Sequence, residues 1–417
     1  MNLPRWRKSL TVNAASLMTA TVATNALGLV FWAVAARLKS PAVVGRAAAS
    51  VAAFTLLATI AQLNMTNIFI RLLPGAGGLS SMLIRRAYLA VGGAAIVVSG
   101  VFGLSGLGTR VVGGTWEARA LFAVAVAVLA IFALQDSVLT GLRLAPWVPV
   151  ENVSFAAGKL VLLPLFVALS VPGAIVAAWV LPAAVAVIVV TRLLFARVLP
   201  PLATVAGRLP GRRRLISFVA GEYTGNVLAT ATIQLMPLLV LWKLGPAQAA
   251  YFTLPWLISM GITFLLWNVA SSFVVEMAGA HGHPDSLLRR SLLLWAGVAI
   301  GALLVCVLVG RPVLALAGPS YAANGAALLR LVGLSAPFAA LVAVYSTLAW
   351  LDQRVWLLAA FQAAAGVVML GLTLLLLPHL GLVAAGWANL FTQALAAAVM
   401  APLALRRVRR GRLLEMA

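Results

Sequence analysis

The chain has 417 residues, of which 63% are hydrophobic and only 9% are charged, and its formal net charge is +22. Soluble domains are about 45–50% apolar and about 25% charged, so the composition excludes an ordinary soluble protein and indicates a membrane protein. The single cysteine, Cys306, excludes disulfide frameworks and cysteine-based zinc sites.

The sequence contains about 12 apolar stretches, each near the length of roughly 20 residues with which a helix crosses a bilayer. Their length, and the lack of alternating segments of about ten residues, predict an all-α polytopic membrane protein rather than a barrel. The first stretch is about twice as long as a signal-peptide core, so we expect it to be a retained span. In chain order the predicted spans are 10–36, 44–70, 87–107, 118–140, 150–169, 173–195, 215–242, 249–275, 287–309, 328–351, 355–377 and 381–405.

The distribution of lysine and arginine predicts the orientation of the spans. If the N-terminus is cytoplasmic, the inner connections hold about three times as many of these cations as the outer ones, as the positive-inside rule requires. Both termini are then expected on the cytoplasmic side of the membrane. The positive charge is explained by this topology and by attraction to anionic membrane lipids, so we expect no nucleic-acid partner.

A polar segment rich in proline, glycine and arginine (ARVLPPLATVAGRLPGRRR, 196–214) divides the predicted spans six and six. It predicts an N-terminal six-helix lobe over 1–198, a cytoplasmic linker over 199–214, and a C-terminal six-helix lobe with a basic tail over 215–417. The lobes show a weak repeat, RLKSPAVVGR (37–46) and KLGPAQAAYF (243–252), and such repeats are typical of transporter folds. Chance similarity between alanine- and leucine-rich segments is the alternative explanation.

Two charged residues fall inside neighbouring predicted spans. Asp136 lies roughly 6 Å, and Lys159 roughly 13 Å, from the cytoplasmic boundary at 1.5 Å per residue. One interpretation is an Asp136–Lys159 ion pair that joins the fourth and fifth spans, with Arg143 and Glu151 paired in the turn between them. The other is a functional role, because ionisable groups inside membranes usually mark pathways or sites.

Polar residues also recur at helical spacing in three predicted spans. Each residue alone is explained by hydrogen bonding between helices, which contributes about 0.6 kcal/mol on average. Three polar stripes together favour a shared water-filled cavity, because lipid satisfies none of them. The stripes are Asn13, Ser16, Thr24 and Asn25 in the first span, Thr55, Thr59, Gln62 and Thr66 with Asn64 and Asn67 in the second, and Glu222, Asn226, Thr230 and Gln234 in the seventh.

Motifs for catalysis or cofactor binding are scarce. The segment HGHPD (281–285) contains two histidines and an acid, but a third metal ligand is not evident and a solvated turn is the better interpretation. The sequence has no phosphate-binding loop, no G-x-S-x-G and no H-E-x-x-H motif. We therefore expect no enzyme activity, no catalytic residue, no metal and no cofactor.

Two stretches resemble a known family. FWAVAARLKSPAVVGRAAASVAAFTLLATIAQLNMTNIFIRLLP (31–74) is similar to the first helical pair of bacterial polysaccharide flippases. QDSVLTGLRLAPWVPVENVSFAAGKLVLL (135–163) is similar to their fourth-to-fifth helix region and includes Asp136, Arg143, Glu151 and Lys159. The resemblance covers under about a fifth of the chain and places it with O-antigen-flippase-like members of the multidrug/oligosaccharidyl-lipid/polysaccharide exporter superfamily.

The resemblance implies a transporter that moves a polyprenyl-diphosphate-linked oligosaccharide across the membrane by alternating access between two lobes. Glycosyltransferases or a polysaccharide polymerase are candidate partners, beside the lipid-linked substrate and the membrane lipids. Snorkelling of Arg71 and Arg330, and the ion pair of Lys159, are the alternatives to the roles that the resemblance implies. Those roles are diphosphate contacts for Arg71, Lys159 and Arg330, a sugar path lined by Asn25, Gln62, Asn67, Asn226 and Gln234, and protonation at Asp136 and Glu222 if an ion gradient drives transport.

Two other functions remain open at this point. A multidrug or cation antiporter of the same superfamily would need an acid-rich cavity, and the chain has 8 acids against 30 lysines and arginines. A non-transporting membrane scaffold for glycan assembly would pack its spans without continuous polar stripes.

Overall fold

The structure, a computed structural model, describes residues 10–207, 212–279, 284–351 and 355–409, and these residues form helices and turns without a strand. Within them, eleven helices are long and apolar enough to cross a membrane, and the first helix adds a shorter apolar stretch, Thr24–Leu38. The predicted all-α multi-pass architecture is confirmed. The helices are α1 Leu10–Leu38, α2 Pro41–Ala61, α3 Met65–Ala76, α4 Ser80–Leu104, α5 Gly106–Val112, α6 Trp116–Gly141, α7 Trp147–Ala168, α8 Ala174–Leu193, α9 Arg212–Leu244, α10 Pro246–Gly279, α11 Pro284–Leu304, α12 Gly310–Ala315, α13 Pro319–Leu351, α14 Val355–Leu380 and α15 Val383–Arg409.

Two compact units make up the chain. The N-terminal unit comprises Met1–Leu38 and Ser50–Thr230, and the C-terminal unit comprises Lys39–Ala49 and Ala231–Ala417. The division of the sequence into lobes at the 199–214 segment stays a prediction. The described part of that segment contacts the turn before α4, because the carbonyl of Val205 accepts a 2.9 Å hydrogen bond from the amide of Gly78.

The predicted second span, 44–70, is not one continuous helix. It is broken between α2 and α3, where Leu63 and Asn64 have positive φ angles of 49° and 57°. The break leaves the carbonyl of Ile60 partly unsatisfied, and the hydroxyl of Tyr223 in α9 donates a 2.8 Å hydrogen bond to it. Non-helical backbone at membrane depth is tolerated where protein groups satisfy it, as here.

Close helix contacts in the N-terminal unit occur at glycines. A Cβ added to Gly141, at the end of α6, would lie 2.7 Å from the carbonyl oxygen of Phe69 in α3. A Cβ added to Gly158 would lie 3.2 Å from the Cβ of Pro182, so α7 and α8 approach closely at that level. The first contact joins the end of α6 to α3, and the second joins the middle of α7 to the middle of α8, beside the site described below.

In the C-terminal unit, α13 packs against α10, α11 and α15. The amide of Asn389 in α15 donates a 2.8 Å hydrogen bond to the Ser335 hydroxyl in α13, and both side chains are buried. The two segments of the predicted repeat open α2 and α10, each with a proline at the first helical position, Pro41 and Pro246. Proline is favoured there because an N–H at the first helical position has no acceptor within the helix, so its absence costs nothing.

Candidate functional site

Lys159 lies in the middle of α7 and is only 4% exposed. Its ammonium group lies over three aromatic rings from three helices: Phe31 of α1 at 5.6 Å, Phe155 of α7 at 5.0 Å, and Trp179 of α8 at 4.1 Å from the ring centroids. Aromatic faces carry negative electrostatic potential, so they attract a cation within about 6 Å. We define Lys159 with these three rings as the Lys159 cage.

The rings of the cage support one another. Trp179 makes edge contacts with Phe31 at 5.9 Å and with Phe155 at 5.8 Å between ring centroids. Trp32 adds a T-shaped contact with Phe31 at 5.5 Å. Each such pair contributes about 0.5–1.5 kcal/mol beyond the buried area, so the rings hold the ammonium group in a fixed place.

The predicted ion pair between Asp136 and Lys159 is wrong. Asp136 Oδ1 accepts a 3.0 Å hydrogen bond from Asn152 Nδ2, and within the described part of the chain no carboxylate pairs with Lys159. The reason is helix register: α6 and α7 run antiparallel, and Asp136 and Asn152 are equally far along the chain from Leu144 in the turn. Lys159 lies about 10 Å further along α7, at about 1.5 Å per residue.

The pair suggested for the turn, Arg143 with Glu151, is also wrong. Arg143 is exposed, whereas Glu151 is 6% exposed and neither of its carboxylate oxygens has a hydrogen-bond partner within the described residues. Glu151 interacts electrostatically with Asp136, so two acids lie near the turn that joins the end of α6 to the start of α7. Among the described residues, this pair of acids carries no cationic partner.

A buried amide directly precedes Asp136 in the chain. Gln135 is fully buried, and its Nε2 donates to the Val187 carbonyl at 3.2 Å and to Thr191 Oγ1 at 3.1 Å in α8. Its Oε1 has no partner within the described residues. Neither the hydrogen bonds from Gln135 to α8 nor the burial of Glu151 was predicted from the sequence. A glutamine inside an apolar run, directly before Asp136, is a pattern that indicates a buried polar contact.

The polar residues of the second span surround the helix break. Asn67 Nδ2 donates to Asn64 Oδ1 at 2.9 Å, and Thr66 Oγ1 donates to Gln62 Oε1 at 3.4 Å. The hydroxyls of Thr55 and Thr59 bond back to carbonyls of α2 itself, at 2.9 Å each. Part of this stripe is therefore used in local hydrogen bonds within α2 and between side chains beside the break.

The remaining predicted site residues are distributed over four helices, α1, α3, α9 and α13, and their roles stay predictions. Gln234 is half-buried, and Glu222 and the HGHPD segment lie outside the residues whose side chains the structure describes. Exposed positions are occupied by Asn25 on α1, Arg71 on α3, Asn226 on α9 and Arg330 on α13. In the part of the chain that the structure describes, no group of three or more histidine, cysteine or acidic side chains is arranged to hold a metal ion.

The fold is that of the transporters of the MOP superfamily. The chain is similar to an inward-facing multidrug resistance transporter of the MATE family, with a TM-score of 0.68 and 16% identity over 95% of this chain and 96% of that one. It is also similar to the lipid II flippase MurJ in an inward closed conformation, with a TM-score of 0.62 and 12% identity over 96% and 89% of the two chains.

A third similar structure is a MOP superfamily transporter from Pyrococcus furiosus, described as having a binding pocket of reverse polarity. Its TM-score is 0.56, with 15% identity over 97% of this chain and 95% of that one. No model of a protein family matches the sequence, and no curated protein sequence matches it. At these identities the similarity establishes the fold.

Proposed function

We propose that this protein is a membrane transporter that moves a polyprenyl-diphosphate-linked oligosaccharide across the bacterial cytoplasmic membrane for cell-surface polysaccharide synthesis. The observation that carries the proposal is the Lys159 cage, a buried cation held by aromatic rings without a carboxylate partner among the described residues. A buried ammonium group without an acid favours an anionic ligand and disfavours a cationic one. A lipid diphosphate is such an anion, and one of the similar structures is a lipid II flippase.

In this proposal the protein and the bilayer contact different parts of the substrate. The diphosphate pairs with Lys159, Arg71 and Arg330, since phosphate oxygens accept strong charge-assisted hydrogen bonds. The lipid tail stays in the bilayer, and alternating access between two lobes moves the headgroup. The sugar path is lined by Asn25, Gln62, Asn67, Asn226 and Gln234, and Asp136 and Glu222 are the protonation sites if transport is coupled to protons.

Proteoliposomes containing the purified protein and a fluorescent lipid-linked oligosaccharide test the proposal. A membrane-impermeant quencher reports the fraction of headgroups in the outer leaflet over time. Lys159→Gln is expected to lower the initial rate at least tenfold, because it removes the charge that meets the diphosphate. Lys243→Gln is the matched control, because Lys243 also lies 4.1 Å over an indole ring, that of Trp242, but is exposed.

Two results would contradict the proposal. Wild-type protein that leaves the leaflet distribution unchanged argues for a scaffold, in which case glycosyltransferases or a polymerase should copurify with it. Equal loss of activity in both lysine variants would mean that Lys159 has no special role in the path.

A multidrug or cation antiporter is the second candidate function. Asp136 and Glu151 favour it, as a buried acid pair suits a cationic substrate or a coupling proton. Efflux of a cationic dye that is lost in Asp136→Asn, but kept in Lys159→Gln, would support this alternative over lipid transport.

A further inference from the structure

A groove of about 750 Å³ lies between α7 and α8 in the N-terminal unit. Its walls are apolar, and several wall residues are about half exposed: Val150 at 54%, Leu181 at 46%, Val185 at 52% and Val189 at 48%. In a membrane-spanning helix pair such exposed apolar residues face lipid. The groove therefore opens sideways to the hydrocarbon region, and its volume is typical of a ligand site.

One wall of the groove is formed by a packed apolar cluster. Phe155 and Ala186 line it, and both pack in an apolar cluster with Phe132 and Ala183. Because α7 and α8 are in close contact at Gly158 and Pro182, the groove is a preformed feature of the packed helix pair. An apolar chain lying in it is stabilised relative to water, but it gains almost nothing relative to lipid. Selectivity must come from the polar end.

The polar end is made by Glu151 and Arg197, which line the same groove near the start of α7 and beyond the end of α8. Glu151 is 94% buried, and its two carboxylate oxygens find no hydrogen-bond donor within the described residues. Arg197 is exposed. A buried carboxylate without donors is unfavourable, so a ligand that brings a donor to Glu151 is strongly favoured over one that does not.

We propose that this groove binds one phospholipid whose headgroup carries both a primary ammonium and a phosphate, which is the chemistry of phosphatidylethanolamine. The ammonium donates hydrogen bonds to Glu151, the phosphate accepts from Arg197, and an acyl chain lies along the apolar wall. Phosphatidylglycerol and a polyprenyl diphosphate offer Glu151 only neutral hydroxyl donors beside their anionic groups, and these donate more weakly than an ammonium group. Phosphatidylcholine has the same charges, but its quaternary ammonium has no N–H to donate.

Native mass spectrometry of the delipidated full-length protein tests the site. The protein is titrated separately with phosphatidylethanolamine, phosphatidylcholine and phosphatidylglycerol of identical acyl chains. Phosphatidylethanolamine is expected to bind as a single copy, about tenfold more tightly than either of the others, the ratio expected from one charge-assisted hydrogen bond. Glu151→Gln is expected to remove this preference, and Arg197→Gln to weaken all three lipids.

A matched pair of bulky substitutions on α8 locates the binding site. Val189→Trp fills the groove and is expected to remove the single bound lipid. Ile188→Trp is the control, because Ile188 is 51% exposed on the same helix but does not line the groove. Thermal melting of both variants checks that they are folded, and the charge variants test the proposal independently if Val189→Trp is unstable.

Three outcomes would overturn the proposal. Equal affinity for all three phospholipids would show ordinary lipid contact without a site. An unchanged preference in Glu151→Gln would remove the ammonium contact. Displacement of phosphatidylethanolamine by an equimolar polyprenyl diphosphate would assign the groove to the carrier lipid instead. None of these results depends on whether the protein transports a substrate.

Discussion

Replacing Lys159 by methionine is expected to change the free energy of unfolding by less than about 2 kcal/mol, although it removes a buried charge. The ring of Trp179, at 4.1 Å, attracts the ammonium group by about 2 kcal/mol, and Phe155 and Phe31, at 5.0 and 5.6 Å, by about 0.5–1 kcal/mol each. This sum of about 3–4 kcal/mol is similar to the several kcal/mol needed to take an ammonium ion out of water. Methionine has nearly the same length, fills the cage and removes both opposing contributions.

Trp179→Ala provides the contrast. It removes the nearest ring but leaves the ammonium group in the cage, so the desolvation cost is no longer offset. We expect a loss of about 3 kcal/mol, at the low end for truncation of an aromatic side chain because Trp179 is only partly buried. The double variant with Lys159→Met should be more stable than the additive expectation, because the stranded charge is gone.

The measurement is equilibrium unfolding in mixed micelles, followed by circular dichroism so that loss of a tryptophan does not affect the signal. Lys159→Met that destabilises the protein by more than about 3 kcal/mol would refute this reasoning, because it would mean that the charge has a strong partner. Equal stability of Lys159→Met and Trp179→Ala would refute it as well. The combination of intact stability and lost transport in Lys159→Met would separate a binding role from a structural one.

Three further changes test the contacts described above by the same unfolding measurement. Asp136→Asn and Lys159→Met should act additively, with a coupling energy below about 0.5 kcal/mol, because the two side chains have different partners. Tyr223→Phe should lower the free energy of unfolding by about 1 kcal/mol, because it removes the hydroxyl that donates to Ile60 at the helix break. Gly141→Ala should lower it by about 1–3 kcal/mol, because the new methyl group would lie 2.7 Å from a carbonyl oxygen of α3.

The tyrosine and glycine changes each have a control in the chain. Tyr345→Phe removes a hydroxyl that has no hydrogen bond within the described residues, and it should have little effect. Gly93→Ala on the exposed face of α4 meets no atom within 4 Å, and it should raise stability by about 0.5–1 kcal/mol through helix propensity. A coupling energy above about 1 kcal/mol between Asp136 and Lys159 would indicate an ion pair between them and would contradict the structure.

Hydropathy and segment length were enough to predict a helical membrane protein with about 12 spans, because lipid requires every backbone polar group to be satisfied inside the helix. The helices α2 and α10 begin at Pro41 and Pro246, three residues before the predicted spans 44–70 and 249–275, and proline is favoured there for a similarly local reason. These features depend on near neighbours in the chain.

The partners of the charged residues depended on tertiary structure. Asp136 meets Asn152 rather than Lys159 because the short turn after α6 sets the register of the antiparallel pair, and that register places Lys159 beyond reach. The Lys159 cage needs rings from α1 and α8, which lie far from α7 in the sequence and meet it only after packing. The helix break at Leu63 and Asn64 contains no glycine or proline, so the sequence did not indicate it. The break is stabilised by Tyr223 of α9, which donates a hydrogen bond to the Ile60 carbonyl. Local chain chemistry determined which segments enter the membrane, whereas contacts between distant helices decided which buried polar groups have a partner among the described residues and which do not.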